Sequence, residues 1–285
     1  MKNKFIAALI LLLFCLHTYS QNKGNLFIIG GGHKSDELMK QLVATALINA
    51  NDYIAVLPMS TSEPDTSYFY IKQDFNKVCT NKIISFNFTK NDVNKTTWLD
   101  SIRKAKLIYI TGGDQSRFMN IVLHTPIQTA IQTAYKNGAT IAGTSAGAAM
   151  MSHYMITGNQ LLGDTSYEST FPKLWNNNLE IKEGLSLIDS AIIDMHFVAR
   201  SRYNRLLTAI AKYPTLPCIG IDESTAIIVH DNMIKVVGAS QVIVFSNPQN
   251  LQTTNNGFIK FDDIKMSIYT EGDSFPLRQN NQHAK

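Results

Sequence analysis

Gly143-Thr144-Ser145-Ala146-Gly147 combines residue types and spacing that could do chemistry. It follows the apolar run Ala139 to Ala142 and leads into Ala148, Ala149, Met150 and Met151, which suit a helix. G-x-S-x-G is the pattern of a nucleophile elbow, in which a serine hydroxyl is exposed on a sharp strand-to-helix turn. Side chains two residues either side of the serine would crowd that turn, and glycine has no Cβ to do so. Unpaired N–H groups at the start of the following helix would face an oxyanion forming at the serine. The implied chemistry is acyl transfer, which needs a base to take the hydroxyl proton and an acid to orient that base.

Beyond residue 20 the chain has six histidines. His283 is near the C-terminus, His124 is beside a turn, His230 is at a hairpin, and His153 falls in the helix expected after the elbow. His33 and His196 follow strand ends, where catalytic groups collect. His196 is the stronger candidate, because Asp194, Phe197, Arg200, Arg202 and Arg205 surround it in sequence. Gly30-Gly31-Gly32-His33 superficially suggests a dinucleotide loop. The G-x-G-x-x-G pattern needs glycine at position 35, however, and Ser35 stands there. A tight turn is the better reading.

The elements that must position these residues alternate between strand and helix. Strand-like runs are Asn25 to Ile29, Tyr53 to Leu57, Ile83 to Phe88, Leu107 to Ile110 and the elbow strand. Between them, helical spacing appears from Ser35 to Leu47, through Tyr70 to Val78, from Asn91 to Ala105, through Phe118 to Val122, and from Ile127 to Tyr135. This predicts an α/β fold: an open, mostly parallel sheet flanked by helices on both faces. Ligands bind beyond the carboxyl ends of such strands. Three turns fall there, Gly30 to His33, Gly112 to Gln115 and Gly143 to Gly147, so Gln115 is expected to line the same cleft as Ser145. After a looser polar stretch from Thr157 to Asn178, the runs Ile181 to Asp189 and Ala191 to Phe197 are apolar again. Cys218 to Ile221, Ala226 to Val229, Met233 to Val237 and Gln241 to Phe245 then predict short strands forming an antiparallel C-terminal extension of the sheet.

Met1 to Ser20 reads as a secretory signal peptide: Lys2 and Lys4 precede an apolar run from Phe5 to Leu16, with Thr18 and Ser20 before a cut that leaves Gln21 first. The run is too short to span a bilayer, which needs about 20 residues. The expected protein is therefore exported, periplasmic or secreted, and free of the membrane once cut. Residues 21–278 read as a single domain and 279–285 as a disordered tail. The net charge of +4 falls to +2 without Lys2 and Lys4, which gives no nucleic-acid footprint. Cys79 and Cys218 could form one disulfide or remain as two thiols.

Four ordered stretches carry a family resemblance: Gly112-Gly113-Asp114-Gln115, Gly143 to Ala148, Asp194-Met195-His196-Phe197 with the spaced arginines, and Gly220-Ile221-Asp222-Glu223-Ser224-Thr225-Ala226. Together they resemble the cyanophycinase family of serine peptidases, relatives of aspartyl dipeptidase E, over roughly Leu26 to Phe245. The resemblance implies a class I glutamine amidotransferase-like fold, no metal or organic cofactor, and commonly a homodimer. It matches Ser145 to the nucleophile, His196 to the base and Glu223 to the acid, with Asp222, Asp194 and Asp164 as alternatives for the acid. It matches Gln115, Arg200, Arg202 and Arg205 to substrate-binding positions, although their spacing leads us to expect at least one arginine to be structural. Gly113 and Ala146 are the expected oxyanion donors. The implied substrate is a peptide or cyanophycin, a poly-aspartate backbone bearing β-linked arginine that is released as β-Asp-Arg. The family usually carries glutamine before the histidine, and this chain has Met195. That departure keeps open an α-aspartyl or isoaspartyl dipeptidase, and an inactive homologue that only binds acidic peptides. An α/β-hydrolase esterase shares the elbow but places its acid before the histidine.

Overall fold

The computed structural model describes residues 23–164, 166 and 168–277. The expected signal peptide and C-terminal tail therefore fall outside the described residues. Among these residues the chain alternates as β1 (Leu26–Ile29), α1 (Asp36–Ala46), β2 (Tyr53–Leu57), α2 (Pro64–Asn76), β3 (Lys82–Ser85), α3 (Thr96–Lys104), β4 (Leu107–Ile110), α4 (Gln115–Val122), α5 (Pro126–Lys136) and β5 (Thr140–Thr144). The elbow follows, with a short helix α6 (Ala146–Ala149), then strands β6 (Tyr154–Gln160), β7 (Leu179–Glu183) and β8 (Ile192–Met195). Helix α7 (Tyr203–Lys212) precedes β9 (Cys218–Ile221), β10 (Thr225–His230), β11 (Met233–Gly238) and β12 (Val242–Gln249). The last strands are β13 (Gln252–Thr253), β14 (Ile259–Lys260), β15 (Asp263–Tyr269) and β16 (Ser274–Pro276).

The main sheet runs β16-β11-β10-β1-β5-β4-β2-β3. β1, β5, β4, β2 and β3 are parallel, and β10, β11 and β16 extend the β1 edge in antiparallel fashion. The two-residue period of a strand explains how helices cover both faces. Leu26 and Ile28 join the core with α3, α4 and α5, through residues such as Leu99, Phe118 and Ile131. Phe27 and Ile29 pack instead with Leu38, Leu42, Ile71 and Phe75 of α1 and α2.

Local chemistry sets the helix boundaries. Ser35, the residue that breaks the dinucleotide pattern, caps α1 by accepting from Leu38 N at 3.2 Å. Asp114 caps α4 by accepting from Ser116 N and Arg117 N. The helix expected from Asn91 begins only at Thr96, because Asp92 bonds back to Thr89 N and to its hydroxyl and holds a turn.

Two further expectations are revised. Cys218 to Ile221 and Gln241 to Phe245 do not extend the main sheet. They form a second sheet, β15-β12-β9-β8, with one face in the main core and the other against α7. The elbow helix is also only four residues long, so His153 lies outside it. The backbone of Met150 to His153 pairs instead with residues 184–188. Cys79 and Cys218 are free thiols in separate apolar clusters.

Ile141 lies on β5, between β1 and β4, and is fully buried. Ile141→Ala should cost about 2–5 kcal/mol, measured as a lower urea midpoint at unchanged slope. A loss under about 0.5 kcal/mol would contradict this placement.

Candidate active site

Ser145 directly follows β5 with φ 53° and ψ −113°, a strained conformation for a non-glycine residue. Its N–H donates to Ile29 O at 3.0 Å, and its carbonyl accepts from Ala148 N and Ala149 N. Gly147 makes the turn possible, since a Cβ there would fall 2.5 Å from Ile110 O. His196 follows β8, also at positive φ (51°), and its N–H donates to Gly30 O at 2.8 Å. Glu223 follows β9, and the N–H of the next residue, Ser224, donates to Gly31 O at 2.9 Å. Three consecutive carbonyls at the end of β1, those of Ile29, Gly30 and Gly31, therefore fix the three segments. The glycine turn read from sequence only as a turn is the wall behind the imidazole. A Cβ on Gly31, whose φ is +112°, would lie 2.3 Å from His196 Cε1.

These anchors bring Ser145 Oγ to 2.8 Å from His196 Nε2, and His196 Nδ1 to 2.6 Å from Glu223 Oε1. A carboxylate only accepts, so Nδ1 carries the proton and neutral Nε2 is left to accept from the serine hydroxyl. Burial lowers the His196 pKa below its usual value. The hydrogen bond and charge of Glu223 oppose this, while the positive charges of Arg200 and Arg202 add to it.

The other acids have different work. Asp222 accepts from Val198 N and Ala199 N and from the Ser240 hydroxyl, which pins the loop after His196. Asp164 is exposed and bonds Ser166. Asp194 is fully buried and pairs with Arg205 through both carboxylate oxygens, one of them in a very short contact with Nη2. Arg202 Nη1 donates to Met195 O at 2.7 Å, lies 3.0 Å from the Met195 sulfur, and is 3.7 Å from Asp194 Oδ1.

A cavity of about 350 Å³ opens beside Ser145. Arg200, Arg202, Arg205, Gln115 and Gly113 all border it. Arg205 is almost wholly buried and committed to Asp194, while Arg200 is exposed. Gln115 holds a wall together: its amide nitrogen donates to Ile156 O at 2.9 Å and Thr157 O at 2.8 Å, which leaves its carbonyl oxygen for the cavity. Among the described residues the N–H groups of Gly113 and Ala146 have no acceptor, whereas Asp114 N is spent on Ser60 O. Met195 also borders the cavity, as do Thr157, Asn159 and Lys182 from the β6–β7 hairpin. Nothing in the loose polar sequence around that hairpin signalled a place at the site. His33 is exposed, His124 faces Glu183, His153 bonds Ser186, and His230 lies beside Asp231. Among the described residues, no group of three His, Cys, Asp or Glu side chains could hold a metal, and no helix is long and apolar enough to cross a membrane.

Comparison with known proteins agrees with the motifs. A cyanophycinase from Nostoc sp. is 30% identical over 236 residues, covering 80% of this chain and 76% of that protein. A cyanophycinase from Geminocystis herdmanii is 35% identical over 182 residues, covering 61% and 63%. In structure, a peptidase from an acI-B1 Actinobacterium matches at TM-score 0.66 and 19% identity, over 92% of this chain and all of that one; this likeness concerns the fold. The sequence model of peptidase family S51 matches residues 26–237. The chain belongs to peptidase family S51 and is a peptidase, a hydrolase.

Proposed function

We propose that this protein is a cyanophycinase-like serine peptidase, with Ser145, His196 and Glu223 as its triad, that hydrolyses aspartyl peptide or β-aspartyl isopeptide bonds. The observation that carries this reading is the unbroken chain from Ser145 Oγ through His196 to Glu223, at 2.8 and 2.6 Å. Ser145 Oγ attacks the acyl carbon while Nε2 takes its proton, and Glu223 holds the resulting imidazolium. The Gly113 and Ala146 N–H groups stabilise the oxyanion. Because α6 is one turn long, they act as individual donors with little helix dipole behind them. His196 then returns its proton to the leaving amine, and water resolves the acyl-enzyme. Arg200, with Arg202 behind it, takes the aspartyl carboxylate, for which a guanidinium fork is suited.

Kinship with proteins named cyanophycinase supports this substrate class. Met195 favours a second reading, an α-aspartyl or isoaspartyl dipeptidase. Its thioether faces guanidinium groups and offers no amide donor and acceptor to a polymer substrate.

Ser145→Ala should lower hydrolysis of β-Asp and α-Asp dipeptides at least about 10⁴-fold and abolish labelling by a fluorophosphonate. Activity retained in this variant would overturn the triad. The His196 pKa is lowered, so the acidic limb of the kcat/KM profile should lie below the usual histidine value. Removing a neighbouring cation favours imidazolium, and Arg200→Gln should therefore shift that limb to higher pH while raising KM. A limb that stays in place would remove Arg200 from the electrostatics of the base.

We also infer export, from the basic and apolar character of residues 1–20. The mature protein should begin at Gln21 by N-terminal sequencing of the exported fraction, and an intact Met1 would refute it.

A further inference from the structure

The β6–β7 hairpin brings its own polar group to the cavity. Glu180 and Lys182 are two residues apart on β7 and so share a face. Glu180 Oε2 accepts from the Thr157 hydroxyl at 2.7 Å and from Asn159 Nδ2 at 2.9 Å, and Oε1 lies 3.1 Å from Lys182 Nζ. Burial works to raise the Glu180 pKa, yet these hydrogen bonds leave it lowered, so the carboxylate is a stable tether. An ammonium has three donors. With one directed at Glu180 and a half-exposed side chain, Lys182 reaches the cavity with donors to spare.

Arg200 enters the same space from the loop after β8. Asp194 serves Arg202 and Arg205, and no carboxylate among the described residues pairs with Arg200. Asp114 also borders the cavity; its Oδ1 caps α4 and its charge offsets part of the positive field there, without pairing with Lys182 or Arg200. Two cations with unspent donors, from separate elements, thus share about 350 Å³. A ligand with one carboxylate answers only one of them. A ligand carrying a guanidinium brings a like charge toward both, and like charges brought together are strongly disfavoured.

We propose that Lys182 is a specificity residue that takes a second carboxylate of the substrate, so that aspartyl or β-aspartyl dipeptides whose other residue is acidic are preferred to those bearing arginine. This rests on the reading above, in which Arg200 takes the aspartyl carboxylate beside Ser145. It refines that reading by separating this chain from one specialised for the β-Asp-Arg unit.

The test is calorimetric binding of β-Asp-Glu and β-Asp-Arg to the Ser145→Ala protein, with Lys182→Arg, Lys182→Ala and Lys182→Glu added in that background. Hydrolysis of both dipeptides is followed in parallel with Ser145 intact. β-Asp-Glu should bind at least about tenfold more tightly. The preference should survive Lys182→Arg, shrink in Lys182→Ala and reverse in Lys182→Glu, and added salt should weaken it. Equal binding of the two dipeptides, a preference for β-Asp-Arg, no measurable binding of either, or a ratio unmoved within about twofold by Lys182→Glu would each overturn the proposal. Hydrolysis that persists in Ser145→Ala would sink the triad instead, and the binding ratio would still decide the role of Lys182.

Discussion

The site depends on one backbone segment, Ile29-Gly30-Gly31, whose three successive carbonyls accept from Ser145 N, His196 N and Ser224 N. Ser145, His196 and Ser224 all have positive φ without being glycine. Each such residue costs roughly 1–3 kcal/mol and persists only where its surroundings over-determine it. The elbow arrives from β5, the histidine from β8 and the glutamate from β9, and β8 and β9 belong to a different sheet from β5. The end of β1 is therefore the reference that sets two sheets so that Ser145, His196 and Glu223 meet within hydrogen-bond distance. Close packing keeps it in place: a Cβ at Gly30 would meet Asp222 O at 2.2 Å, and one at Gly31 would occupy the imidazole.

Beneath His196 lies a buried charge arrangement with a different logic. Asp194 and Arg205 are almost fully removed from water. A buried ion pair of this kind contributes little to stability compared with apolar residues, because desolvation offsets attraction, but removing one partner alone is costly. Its use here is geometric. The pair ties the end of β8 to α7, and Arg202 binds the Met195 carbonyl one residue before the histidine. Of the three arginines that follow His196, one is thus structural, one supports the histidine strand from the cavity wall, and one is exposed to the cavity.

The parallel sheet was legible because its strands are short, continuously apolar and separated by amphipathic helices, and because a buried parallel strand admits little else. The elbow was legible because its two glycines answer a steric demand. The split into two sheets was not, since Cys218 to Ile221 and Ala226 to Val229 look alike as letters and differ only in which partner they find. The short α6 was missed for a similar reason: small and apolar residues suit a helix, but pairing of Met150 to His153 with residues 184–188 prevailed over local propensity. Gln115 was expected at the cleft, but no sequence pattern shows that both of its N–H bonds go to the β6–β7 hairpin. Lys182 carried no signal at all, because its place depends on how that hairpin folds over the cavity.

The charges around His196 act in opposing directions. Glu223 favours the imidazolium, whereas burial and the cationic arginines favour the neutral ring. In the proposed role of His196 as base, the ring must be neutral before it accepts a proton and must tolerate the charge afterwards, so both influences would be used at different stages. The arginines that keep the ring neutral also border the cavity. A carboxylate placed among them offsets part of the positive charge that His196 feels, and the ring then protonates more readily. Occupancy of the cavity and protonation of His196 are therefore coupled through the same guanidinium groups, while the distance between hydroxyl and imidazole is set independently by the carbonyls at the end of β1.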